Sequence, residues 1–159
     1  MPDGVTHFLS NLLVGGACAV IAYTYAPAAL APVLIGATLG AFITPDADID
    51  HTTHPESLLR RVPVIGLAFQ TAWYPYALLH RHRGISHAPL LGTAGRMAYA
   101  LLVVIIVALF WCGVVWYTGG DPTAFLAAVA TFLDRLTNPY LLAAWLTQDL
   151  THLLLDWLF

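Results

Sequence analysis

The chain has 159 residues, of which 59% are hydrophobic, with six basic and nine acidic side chains and a formal net charge of −3. A water-soluble domain carries roughly a quarter of its residues as charges, so this composition excludes an ordinary soluble surface. Nothing in the charge balance points to a nucleic-acid partner, and none is expected. The fold class implied is all-α, a small polytopic membrane bundle with three to five membrane-embedded helices and a cytoplasmic polar loop, residues 1–159 forming a single membrane domain.

The opening MPDGVTHF has no basic segment ahead of its apolar run and no cleavage site, so it is not read as a signal peptide. Residues 8–44 carry no charge, and Pro27 and Pro32 divide them into a spanning helix near 9–26 and a second helix near 32–44, which is short for a complete crossing. Gly36 and Gly40 form a small-xxx-small face suited to close helix packing. Cys18 and Cys112 lie in apolar runs, where cysteine behaves as a small hydrophobe.

Residues 45–96 read as a polar and aromatic connection at the cytoplasmic face or interface. Within it, VPVIGLAFQTAWYPYALL suggests an interfacial or re-entrant helix starting at Pro63 and kinked at Pro75, with Trp73, Tyr74 and Tyr76 at headgroup depth. Five of the six arginines, Arg60, Arg61, Arg81, Arg83 and Arg96, fall here and lysine is absent, so the positive-inside rule puts the connection in the cytoplasm.

The run MAYALLVVIIVALFWCGVVWY at 97–117 is the strongest membrane signal, long enough to cross about 30 Å of hydrocarbon as a helix. Residues 123–136 make a short helix of about 21 Å, and Asp134, Arg135, Asn138 and Pro139 mark a break. If that short helix turns back or lies at the outer side, a helix over 140–158 returns inward and carries His152 and Asp156 toward the other polar residues; if it crosses fully, they are delivered to the opposite side. The end in WLF, directly after an apolar helix, leaves open a longer product.

Ionisable groups near a membrane are costly to desolvate, and a cluster of them marks a functional site. Seven histidines and eight aspartates fall largely into the strings TH, PDADIDH, HRHRGISH and DLTHLLLD. His152 and Asp156 share one helix face at i, i+4, a spacing that suits a divalent ion or, more simply, a hydrogen-bonded pair. Asp46, Asp48 and Asp50 repel one another unless a cation intervenes; the plainer reading is an acidic loop capped by Thr44 with Pro45 in its first turn. In HRHRGISH, histidines suit a metal and Arg81 and Arg83 suit phosphate oxygens, although a basic loop on anionic lipid explains the arginines equally well. His7 gains weight from position, because a hairpin over 9–44 brings it back beside Asp46.

MPDGVTH, ITPDADIDH, WYPY and HRHRGISHAPLLGTAGRMAY together resemble an uncharacterised family of metal-binding membrane proteins of bacteria and archaea, similar in turn to the YdjM-like inner-membrane metal-dependent hydrolases. The resemblance covers residues 1–105, and the His152/Asp156 pair more loosely. It implies a centre built from His7, Asp46, Asp48 or Asp50, His82, His87, His152 and Asp156. A more distant similarity to zinc-dependent phospholipases C and related helical zinc nucleases implies phosphoester hydrolysis. The sequence departs from that pattern in having Glu56 as its only glutamate and no evident general acid.

The expected function is a metal-dependent hydrolase of a phosphoester such as a lipid headgroup, at the cytoplasmic surface of the cell's inner membrane, as a multi-pass protein whose partners are membrane lipids. The expected cofactor is a divalent metal in a di- or multinuclear centre, zinc by its mixed imidazole and carboxylate donors, with manganese or iron compatible. Asp48 or Asp50 would accept a proton and Arg81 or Arg83 would hold the phosphate. The alternative is a non-catalytic structural or assembly subunit, packed against other membrane protein subunits or pigments, with a structural or degenerate metal site.

Overall fold

The computed structural model describes residues 4–48, 54–80, 84 and 87–158. These form seven α-helices and no strand among the described residues: α1 (Gly4–Tyr25), α2 (Leu30–Phe42), α3 (His54–Leu59), α4 (Pro63–Leu79), α5 (Leu91–Tyr117), α6 (Thr123–Leu136) and α7 (Pro139–Leu158). Short 3₁₀ turns at Pro27–Ala29 and Pro45–Asp48 flank α2.

Local chemistry sets most of these boundaries. Pro27 opens the turn between α1 and α2, Pro63 stands in the first turn of α4, and Pro139 begins α7, positions where its missing N–H costs no helical bond. Asn138 Oδ1 accepts the backbone N–H of Tyr140 at 3.0 Å, so α7 starts on a side-chain cap, and Asp121, just ahead of Pro122 at the N-cap of α6, accepts the N–H of Thr123 at 2.9 Å.

The centre of the fold is the packing of α1 and α2 on α7, and small residues permit it. A methyl group on Gly36 would sit 2.2 Å from the Leu141 carbonyl oxygen, and one on Gly15 would sit 2.8 Å from Gln148 Nε2. The small-residue face read at Gly36 and Gly40 is therefore the α2–α7 seam. Ile43, Leu141 and Trp145 continue the buried core toward α4, where they meet Trp73 and Tyr76.

Three features differ from the sequence reading. Trp73 and Tyr76 are buried, at 9% and 1% exposure, and pack with Tyr99 at ring-centroid distances of 5.2 and 5.1 Å, whereas Tyr74 stays exposed. They are core residues because α4 lies against the bundle, and Tyr99 of α5 closes over them by donating to the Ala72 carbonyl. Secondly, α5 begins at Leu91, so that Arg96, counted in the basic loop, lies inside the helix and fully buried against Asp149. A sequence window sees the charge of Arg96 but not the partner that lets it enter the interior. Thirdly, the stretch 45–96 holds α3 and the start of α5 in addition to the helix expected from Pro63, which is α4.

By length and composition, α1 and α5 can cross a membrane, with mean hydropathies of 1.7 and 2.8 in their most apolar windows. The 13 residues of α2 and 14 of α6 reach only about 20 Å at 1.5 Å per residue, short of a roughly 30 Å hydrocarbon core. Beyond Tyr99, α5 leaves the bundle, and Ile106, Phe110 and Trp116 point outward with 56%, 73% and 76% exposure. Where α5 and α6 stand off from α2 and α7, an apolar cavity of about 220 Å³ opens beside Met97, Leu101, Phe132 and Trp145.

The glycine seam carries a direct expectation. Gly36→Ala forces α2 and α7 apart against backbone and should cost about 1–3 kcal/mol, whereas the methyl of Gly16→Ala meets nothing within 4 Å and should leave stability unchanged or raised. Denaturant unfolding of both variants in one detergent checks the contrast.

Candidate metal centre

Four separate parts of the chain deliver imidazoles and carboxylates to one place. His7 lies in the first two turns of α1, and His152 and Asp156 share one face of α7. Asp46 stands in the 3₁₀ turn that follows α2, and His87 in the turn that precedes α5.

The distances among them are close to uniform. His87 Nε2 lies 3.6 Å from Asp46 Oδ1 and 3.7 Å from Asp156 Oδ2; His152 Nε2 lies 3.5 Å from Asp46 Oδ2 and 3.7 Å from Asp156 Oδ2. These separations are too long for good hydrogen bonds. They are close to the spacing of about 3.3–3.6 Å between donors held at about 2.0–2.2 Å by a zinc ion, with Asp46 meeting His87 through Oδ1 and His152 through Oδ2. His7 joins from the other side, its Nε2 3.2 Å from Asp156 Oδ1 and its ring stacked on that of His152 at 3.9 Å.

Two groups, His7/His152/Asp156 and Asp46/His87/His152, each present ligand atoms within 4.8 Å of one another. His152 belongs to both, and Asp156 reaches His7 with one oxygen and the other two imidazoles with the second.

The electrostatics favour a cation. Burial pushes the Asp46 carboxyl up, but the imidazoles of His152 and His87 outweigh it and hold Asp46 well below the usual carboxylate range. Asp46 is thus ionised, the form in which it can ligate. His152 is fully buried, and neither of its ring nitrogens has a hydrogen-bond partner among the described residues; the same holds for Nδ1 of His7. An unsatisfied buried polar group costs about 1–3 kcal/mol. An ion bound at Nε2 of His152 removes that cost at this atom, so the donor set fits a divalent metal.

A polar layer underlies the centre. Asn11 Nδ2 donates to the Gly40 carbonyl at 3.4 Å and Gln148 Nε2 to that of Ala37 at 2.9 Å, joining α1 and α7 to α2 one turn away from His7 and His152. On one flank, a cleft of about 520 Å³ is walled by Pro89, Leu150, Leu153, Leu154 and Trp157, and His87 and Asp156 also line it.

Of the residues singled out from sequence, His7, Asp46, His87, His152 and Asp156 come together. The side chain of Asp48, and all of Asp50, Arg81, His82 and Arg83, lie outside the described residues. His80 stands apart, its ring on Tyr76 at 4.0 Å and its Nδ1 on the Tyr76 carbonyl at 2.9 Å. Arg96, Thr93 and Asp149 were not foreseen as a unit, although Asp149 stands in DLTHLLLD on the face of His152, which was the available signal.

The segment that carries His87 is strained. Leu90 has φ 64° and ψ −50°, and Leu91 N–H donates to the Pro89 carbonyl at 2.7 Å. This is the positive-φ form of the γ-turn, rare for any residue with a side chain. Leu90→Gly should relieve the strain and raise stability by about 1 kcal/mol, net of the greater chain entropy of glycine; a denaturant midpoint no higher than that of the parent would contradict the assignment.

No solved structure matches this chain. An uncharacterized protein of Aquifex aeolicus (strain VF5) is 28% identical over 131 residues, covering 79% of this chain and 87% of the relative. A family model described as "Uncharacterized metal-binding protein (DUF2227)" matches residues 2–159, a span that includes all five converging side chains. The chain belongs to this family of metal-binding proteins.

Proposed function

We propose that the protein is a metal-dependent hydrolase. It holds one divalent transition ion among His7, Asp46, His87, His152 and Asp156 and cleaves a phosphoester of a membrane lipid headgroup at the cytoplasmic face of the cell membrane. The observation that carries this reading is the set of four imidazole–carboxylate separations of 3.5–3.7 Å beside an open, apolar-walled cleft. Because both triplets share His152, one tightly held ion is the simplest occupancy. Mixed nitrogen and oxygen donors favour zinc over manganese or iron.

A bound ion of this class supplies Lewis acidity to a phosphoryl oxygen and lowers the pKa of water toward neutrality. The rest of the work falls to the chain. His7 and His152 are at 5% and 0% exposure and serve to hold and orient, whereas His87 and Asp156 border the cleft and meet the substrate side. The leucines and Trp157 of the cleft suit the apolar part of a lipid and exclude water from the reacting group. Asp48 or Asp50, next in sequence to Asp46, is the proposed proton acceptor, and Arg81 or Arg83, just before His87, the proposed phosphate contact. The mixed donor set beside the cleft supports the reaction class, and the lengths and apolarity of α1 and α5 support residence in a membrane.

A second reading has its own support. The near-complete burial of His7 and His152 is what a ligand-saturated structural site requires, and the apolar outer face of α5 suits other membrane subunits or pigments. The two readings part at catalysis. Purified wild-type protein is expected to carry about one equivalent of zinc and to hydrolyse a fluorogenic phosphodiester lipid in mixed micelles, losing activity on chelation and regaining it with zinc. His87→Ala and Asp156→Ala should lose both metal and activity, and Arg81→Ala should raise KM while keeping the metal. Metal retained with no turnover of any phosphoester would leave the structural-subunit reading standing; no metal would overturn the hydrolase and leave only a subunit with a degenerate site.

A further inference from the structure

Helix α7 carries another carboxylate, which the centre described above leaves unused. Asp149 lies three residues before His152, on the same face of the helix, and both are at 0% exposure. Its Oδ2 accepts two hydrogen bonds from α5, one from Thr93 Oγ1 at 2.6 Å and one from Arg96 Nη2 at 2.5 Å. Its Oδ1 is buried and has no hydrogen-bond partner among the described residues, and the same is true of His152 Nδ1. A buried acceptor and a buried ring nitrogen thus stand about one helical turn apart on one face, each wanting a partner.

Arg96 makes the arrangement harder to dismiss as packing. It is fully buried and pairs with Asp149 across two helices. A buried ion pair is a poor source of stability compared with apolar side chains of the same volume, and its best-attested use is to fix a geometry. Here the geometry fixed is that of a carboxylate whose Oδ2 is held by two donors while Oδ1 remains available.

A histidine that ligates a metal through Nε2 almost always donates its Nδ1–H to a carboxylate, carbonyl or water, which sets the tautomer and the ring angle. We infer that Asp149 is the positioning residue of the centre: its Oδ1 receives the Nδ1–H of His152 and so presents Nε2 of His152 to the ion. Thr93 and Arg96 act through Asp149, holding its Oδ2 and tying α5 to the metal-bearing turn of α7. The charge of Arg96 neutralises Asp149, so that the carboxylate orients His152 without drawing the ion away from Asp46 and Asp156. The inference rests on His152 being a ligand of the centre proposed above.

Asp149→Asn provides the sharpest test, because it keeps the shape and inverts the hydrogen bond. Thr93 and Arg96 are both donors, so they hold the amide oxygen and turn the amide NH₂ toward His152. The imidazole then keeps its proton on Nε2, the wrong atom for binding. Zinc competition titration of the purified full chain in detergent is expected to show affinity 10–100-fold below wild type, the range found when such a partner is lost. Nitrogen-15 spectra of histidine-labelled metal-free protein are expected to show His152 moved from the Nδ1–H to the Nε2–H tautomer, a signature that general loosening of the fold would not produce. Since Asp149→Asn removes the carboxylate charge that faces buried Arg96, the double variant Arg96→Met/Asp149→Asn repeats both measurements without the Arg96 charge, with the same expected result. Wild-type affinity with an unchanged tautomer in the double variant overturns the role of Asp149. Failure of the wild-type protein to bind zinc overturns the centre itself, and this inference with it.

Discussion

Two carboxylates facing the same two imidazoles, at nearly equal separations, are the constraint around which the molecule is arranged. Asp46 and Asp156 each lie 3.5–3.7 Å from both His87 and His152. Without a cation, such a set combines repulsion between like charges with the loss of water by buried rings, and with one it becomes an attractive unit. The four groups come from the turn after α2, the turn before α5 and the last third of α7, so the centre ties together parts of the chain that local structure alone would leave independent.

The backbone accommodates this at two places of unusual geometry. Gly15 and Gly36 remove side chains where α1 and α2 meet α7, which lets the three helix ends bring His7, Asp46 and His152 to one level. At the other place the chain adopts strain, with the positive φ of Leu90 bending the segment from His87 into α5. Strain stored next to a site persists only where the surroundings over-determine it, and here α5 is anchored just beyond the bend by Thr93, Arg96 and Tyr99. Past these anchors α5 has few protein neighbours and an apolar surface, and by length and composition it can cross a membrane.

What the sequence revealed and what it concealed have physical reasons. The His152/Asp156 pair was legible because i, i+4 spacing on a helix is a local property, and the meeting of His7 with the end of α2 followed from a hairpin of two apolar runs. The breaks at Pro27, Pro63 and Pro139 were legible because proline restricts the chain wherever it stands. Burial of Trp73 and Tyr76 was not, since amphipathic aromatics suit a headgroup layer and a packed core equally well until their neighbours are known. Nor was the start of α5 at Leu91: Arg96 reads as the edge of a basic loop unless Asp149, 53 residues later, is known to face it. Long-range pairing of charges leaves no periodic trace in a single sequence.

Zinc K-edge X-ray absorption on the purified protein tests the central claim most directly, because it reports the atoms around the ion whatever the substrate. The account predicts a first shell of imidazole nitrogens and carboxylate oxygens at about 2.0–2.2 Å, with the outer-shell scattering characteristic of histidine rings. A shell of oxygen alone, a sulfur contribution, or protein that holds no metal would contradict it.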